Sequence, residues 1–184
     1  MREFATMVML FTVGVLAGKT SRARCGYMFL AFGVWDIFYY VFLKLMCGWP
    51  HSLFDWDILF LLPLPWWGPV LSPVLIATLM IIWGTITSQA EHPTTPVLPN
   101  WMTWSGCFIG DVLTLFVFMT DTLHVADLGV PVIRKVLPTH FNWPLFLIAL
   151  TLMSLPVLCQ RPFRCRPTAT VMKPSDRTPS TGRA

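Results

Sequence analysis

Charge is what this sequence has least of: only 12% of its 184 residues are Asp, Glu, Lys or Arg, against about 25% in an average soluble domain. Its five cysteines, Cys25, Cys47, Cys107, Cys159 and Cys165, are an odd set with no Cys-x-x-Cys pair, which excludes a redox pair and argues against a disulfide framework. None of the four histidines falls in the middle of an apolar block, which argues against bis-histidine haem ligation inside a bundle. There is no His-Glu-x-x-His, no Gly-x-Ser-x-Gly and no phosphate-cradling glycine loop. The familiar hydrolase and nucleotide-binding signatures are therefore missing, and no cofactor is indicated.

What is present is apolar. Hydrophobic residues make up 55% of the chain and come in long blocks, which points to lipid rather than water as the surrounding solvent. The expected fold class is all-α: a polytopic transmembrane helical bundle of about five spans, with the bilayer as its first partner. The net charge of +4 does not imply nucleic acid, because six of the thirteen basic residues lie beyond residue 160 and form no folded basic face.

The spans are expected at residues 4–18, 25–47, 68–88, 101–123 and 143–160, making residues 1–160 one bundle. The first block has 15 residues, about 22 Å as a helix and short of the roughly 30 Å hydrocarbon core. The second carries Asp36 near its centre and Lys44 near its end, and Gly48-Trp49-Pro50 closes it, since proline cannot continue the ladder. Ser52 and Asp55 read as a helix start with a capping box. Five apolar residues, Ile58 to Leu62, cannot span, so the Trp- and Pro-rich stretch 58–66 is expected to be interfacial or re-entrant. Pro69 and Pro73 fall in the opening turns of the third span, where a missing donor costs least. Asn100 and Asn142 are placed as N-caps of the fourth and fifth spans. Residues 124–141, with Val132, Ile133, Val136 and Leu137 around Arg134 and Lys135, are expected to lie as a helix on the membrane surface. Pro156 is expected to kink the fifth span. Residues 161–184, rich in Pro, Ser, Thr and Arg, read as a disordered basic tail.

Orientation follows from Lys and Arg. Placing the loop with Lys19, Arg22 and Arg24 in the cytoplasm brings the basic tail there too, nine positive residues inside against four outside; the N-terminus then faces out. A bacterial inner membrane is the expected location. Seven of nine tryptophans lie near expected span ends or in the loop they border, as an interfacial belt requires.

The run Phe32-Gly33-Val34-Trp35-Asp36-Ile37-Phe38-Tyr39-Tyr40, with Trp56-Asp57-Ile58-Leu59-Phe60 and Pro63-Leu64-Pro65-Trp66-Trp67-Gly68-Pro69, resembles the wording of small uncharacterised multi-pass bacterial membrane proteins over roughly residues 30–75. The resemblance implies a membrane bundle and carries no activity or site residue with it.

Chemistry must then come from polar residues in apolar surroundings. Asp36 and Asp111 each sit about halfway along a 23-residue block, where a carboxylate costs about 2.5 to 3.5 kcal/mol on insertion scales. Asp36, Tyr40 and Lys44 share one helix face at i, i+4 and i+8, and Asp111, Thr114 and Asp121 share a broad face of the fourth span. If the two stripes oppose each other they make a polar seam able to handle a proton, a small cation or a solute. The bland alternative is interhelical glue, the aspartates bonding to Tyr39, Tyr40, Trp indoles or Lys44 and fixing register, as in a non-catalytic accessory subunit. A weaker possibility is a metal-dependent membrane enzyme using His51, Asp55, Asp57 and His124, with Asp121 and Asp127 nearby, although His-x3-Asp-x-Asp is no diagnostic motif. Gly14 and Gly18 form a Gly-x-x-x-Gly, a packing face for a neighbouring span or for a homo- or hetero-oligomer.

Overall fold

The computed structural model describes residues 2–60, 66–89, 101–124 and 140–159. The first helix, α1 (Arg2–Ala17), is followed after three residues by α2 (Ser21–Cys47). The second helix starts four residues earlier than expected because Thr20 caps it, its hydroxyl accepting from the Ala23 amide at 3.1 Å; Arg22 and Arg24 thus belong to its first turn. It ends where Gly48 adopts a left-handed conformation, φ 71°, and donates its amide to the Lys44 carbonyl at 3.0 Å, a conformation that only glycine adopts without strain.

The chain between α2 and the next helix departs from the all-α expectation. Strands β1 (Trp56–Phe60) and β2 (Trp66–Pro69) pair antiparallel, with Trp56 opposite Pro69, Asp57 opposite Gly68 and Ile58 opposite Trp67. The helix start expected at Ser52 is a tight turn: the Asp55 amide bonds the Ser52 carbonyl at 3.1 Å. The Asp55 carboxylate reaches back to the amides of His51 and Ser52 at 2.7 and 3.2 Å. Pairing with β2 supplies the backbone partners that a lone apolar strand would lack. It also delays α3 (Leu71–Gln89) by three residues relative to the expected span.

Helix α4 (Trp101–His124) coincides with the fourth expected span to within a residue. Helix α5 (Trp143–Met153) is capped by Asn142, whose side chain accepts from the Leu145 amide at 3.2 Å. The chain breaks at Ser154 before a short α6 (Leu155–Cys159), where Pro156 cannot donate to the preceding turn. The cap expected at Asn100, the surface helix around Val132 and the basic tail lie outside the described residues.

Three helices are long and apolar enough to cross a membrane, at Ser21–Cys47, Leu71–Gln89 and Trp101–Thr120; two apolar stretches, Phe4–Ala17 and Trp143–Leu158, are shorter. The count at full spanning length among the described residues is therefore three rather than five. Large apolar side chains, among them Phe4, Leu16, Leu45, Met46, Trp101 and Phe108, face outward, a surface far more apolar than a water-soluble monomer exposes.

Helix α2 packs between α1 and α3, while α4 packs against α5 and, through its C-terminal half, against β2. Small residues set these distances. A Cβ on Gly26 would lie 2.6 Å from the Ser88 amide nitrogen, one on Gly33 2.6 Å from the Ala77 carbonyl, and one on Gly84 2.6 Å from the Gly26 carbonyl. Apolar side chains gain little by leaving lipid for a helix interface, so close backbone approach and its dispersion contacts are what hold such helices together. Gly14 and Gly18 serve the same purpose within the chain, lying against the backbone of α2 at Arg24 and Met28. Gly106 and Gly110, a second Gly-x-x-x-Gly, meet Leu155 and Ala149. The two halves join at one end in an aromatic core of Val117, Phe118, Phe141 and Phe146, against which Trp56, Trp66, Leu75 and Trp143 pack.

Candidate functional site

Asp36 and Tyr40 stand one turn apart on α2, on the side where the hairpin folds back over the helix end. Tyr40 is buried, 7% exposed, yet its hydroxyl is satisfied: it donates to Asp57 Oδ2 at 2.9 Å. Asp57 belongs to β1, and its other oxygen accepts from the Ile58 amide at 2.8 Å. Its position is fixed by the strand pair, because Gly68 opposite leaves room for the Ser72 hydroxyl and the Phe118 ring, 2.9 and 3.0 Å from where a Cβ would be. Strand, α3 and α4 thus converge on the residue opposite Asp57. Half-buried Asp36 lies within electrostatic reach of Asp57, so three oxygen-bearing side chains follow one another from mid-helix to cap.

Burial pushes the Asp57 carboxyl above its ordinary range, against the opposing pull of the donors Tyr40 and Ile58. Desolvation penalises the charged form, and hydrogen bonds to the carboxylate favour it; here desolvation is the larger.

The remaining members of the expected stripes have other surroundings. Lys44 Nζ donates to the carbonyls of Gly48 and Pro50, at 3.2 and 2.7 Å, and so ties down the end of α2 instead of meeting a carboxylate. Asp111 lies on the exposed side of α4. Helix α2 packs on α1 and α3, and α4 on α5, α6 and β2; among the described residues Asp36 and Asp111 share no contact. Thr114 turns into the α4–α5 interface, its hydroxyl 3.4 Å from Met153 Sδ. The Asp121 and His124 side chains and all of Asp127 lie outside the described part.

Of the expected metal ligands, the three with described side chains do not gather. His51 is exposed, Asp55 is engaged by two backbone amides and Asp57 by Tyr40. Among the described residues no three His, Cys, Asp or Glu side chains form a group that could hold a metal ion.

Sequence spacing places Asp36 with Tyr40 but not Tyr40 with Asp57, since that contact depends on the hairpin folding back across 17 residues. The hint available was chemical: a tyrosine buried in a membrane helix needs an acceptor, and the adjoining loop offers two acids, Asp55 and Asp57, between which the sequence alone does not choose. No family model, no curated protein and no solved structure matches this chain.

Proposed function

We propose that the chain is a multi-pass membrane protein that handles a proton or small cation through Asp36, Tyr40 and Asp57. The observation that carries this is the 2.9 Å bond from buried Tyr40 to Asp57 above a mid-helix carboxylate. A phenol bonded to one carboxylate and one helical turn from another can pass a proton between them, and the same oxygens suit a small cation. Intramembrane acids are expensive and mark ion or proton paths more often than they fill space. In this reading α1 and the α5–α6 pair cross as well, for five passes in a bacterial inner membrane, with the N-terminus outside and the basic tail in the cytoplasm.

The test is flux in proteoliposomes holding the purified full-length chain, with a pH-sensitive dye inside and an imposed gradient of proton, Na⁺ or K⁺. Asp36→Asn and Asp57→Asn should each reduce flux at least about tenfold while the protein stays monodisperse, and Tyr40→Phe should reduce it less. Flux equal to that of empty liposomes, or unchanged in Asp36→Asn, would overturn the reading.

A second reading, an accessory subunit of a membrane complex, is favoured by one feature. Asp111 sits exposed on α4 among outward-facing Phe108, Ile109 and Val112, where lipid alone would leave a carboxylate unsatisfied. A partner helix bearing a Lys, Arg or amide at that depth would satisfy it. On native gels of detergent extracts, Asp111→Leu should then release the chain from a larger species; a chain that already runs as a monomer counts against it.

A further inference from the structure

Four aromatic rings from two distant parts of the chain line an open cleft at the capped end of the bundle. Phe54 and Trp56 come from the hairpin, Phe141 and Trp143 from the start of α5, and together with Pro69 and His140 they line a cavity of about 300 Å³. Consecutive rings stand nearly at right angles. Phe54 and Trp143 are 6.0 Å apart at 72°, Trp143 and Phe141 4.8 Å at 71°, Phe141 and Trp56 6.2 Å at 78°. Perpendicular neighbours meet edge to face rather than stack. The back wall is fixed: Phe141 is 6% exposed and braced by Phe118 and Phe146, with ring centres 6.1 and 5.4 Å away.

We propose that this cleft binds a quaternary ammonium cation of the trimethylammonium type. Ring faces carry negative quadrupole density and attract cations, most strongly where water is excluded. Among the described residues, those lining the cleft include no Lys or Arg, and Asp55 sits between Phe54 and Trp56 in the chain, so the described charges near it favour a cation. The walls also decide between kinds of cation. A primary ammonium carries three N–H donors that need acceptors, and of the lining side chains only His140 carries one. A methylated ammonium has no N–H to satisfy and presents methyl groups to apolar walls. The volume lies at the lower end of ligand pockets, matching a head group or a small solute and nothing larger. A choline-bearing lipid and a free choline-like solute share this chemistry. The site is separate from Asp36, Tyr40 and Asp57 and does not depend on their role.

The experiment is a titration of full-length protein, in a sugar-based detergent free of ammonium groups, with choline and with its neutral carbon isostere 3,3-dimethylbutanol, read by intrinsic tryptophan fluorescence. Choline should saturate the signal and bind about tenfold more tightly than the isostere. Trp143→Leu should weaken choline binding about tenfold, with Trp143→Phe restoring most of it. Phe54, 64% exposed, can be changed to Ala without threatening the fold, and this should weaken binding a few fold. No saturable choline binding, equal affinity for the isostere, or unaltered affinity in folded Phe54→Ala would each overturn the proposal. Repeating the titration in nanodiscs identifies the source. Choline displaced in phosphatidylcholine discs but not in phosphatidylglycerol discs marks a lipid head group; equal binding in both marks a free solute.

Discussion

The α2–α3 seam and the aromatic cap are both well packed, but by opposite means. In the seam the atoms that touch are backbone: glycines 26, 33 and 84 bring main chains close enough that a Cβ would collide with a carbonyl or amide. In the cap the atoms that touch are rings, which meet edge to face around an open space. A helix interface in lipid gains little from apolar bulk and is made tight by removing side chains. The cap, built of Trp, Phe and a strand pair, gains from large side chains whose shape leaves a hollow. The first kind of contact should therefore be intolerant of any addition, and the second tolerant of loss.

The largest effect should come from Gly84→Leu, which drives a side chain into the Gly26 carbonyl. A loss of about 3 kcal/mol or more is expected, read as disappearance of the monodisperse peak in detergent. A mutant of wild-type thermal stability would break the comparison at its root. Gly110→Val, whose Cβ faces the Ala149 carbonyl at 2.8 Å, should cost about 2 kcal/mol and would show that the second Gly-x-x-x-Gly works like the first. Tyr40→Phe removes a donor to a carboxylate held in the cap and should cost about 2 kcal/mol, measured by thermal unfolding against wild type.

Asp57→Asn sharpens the same contrast through pH. Because burial raises the folded-state value of Asp57, the ionised carboxylate destabilises the fold above that value. The penalty fades as pH falls through it, since the folded protein takes up the proton before the unfolded chain does. The mutant's melting temperature relative to wild type should thus be more favourable at neutral pH than below about pH 4, the ordinary carboxylate range; a difference flat across pH would contradict the assigned cause. Smallest of all should be Phe54→Ala, under about 1 kcal/mol because the ring is mostly exposed.

Much of the helical frame was legible from block length and end signals. Thr20 was not singled out as a cap, but Gly48-Trp49-Pro50 and Asn142 marked helix ends that the structure places where they stand. The expected five spans came from counting apolar blocks of which α1 and α5 are too short by length alone. The hairpin was not legible. Its first strand is a five-residue stretch, Trp56–Phe60, whose identity depends on Trp66 to Pro69 lying alongside, and periodicity cannot separate a strand from a piece of helix at that length. For the polar residues, spacing gave the face of each helix and said nothing of which helices adjoin. Asp36 and Tyr40 could be grouped because one helix carries both, while Asp111 belongs to a helix that packs elsewhere.

The glycine contacts of α2 and α3 have a mechanical consequence. Sliding one helix past the other by a single residue would bring a side chain to each point where two backbones now touch, so the pair has no neighbouring register to move into. Any rearrangement of the bundle must therefore leave that pair rigid. Among the described residues, room for adjustment lies where side chains rather than main chains meet, as in the aromatic cap and across the ring contact of Trp83 with Trp104.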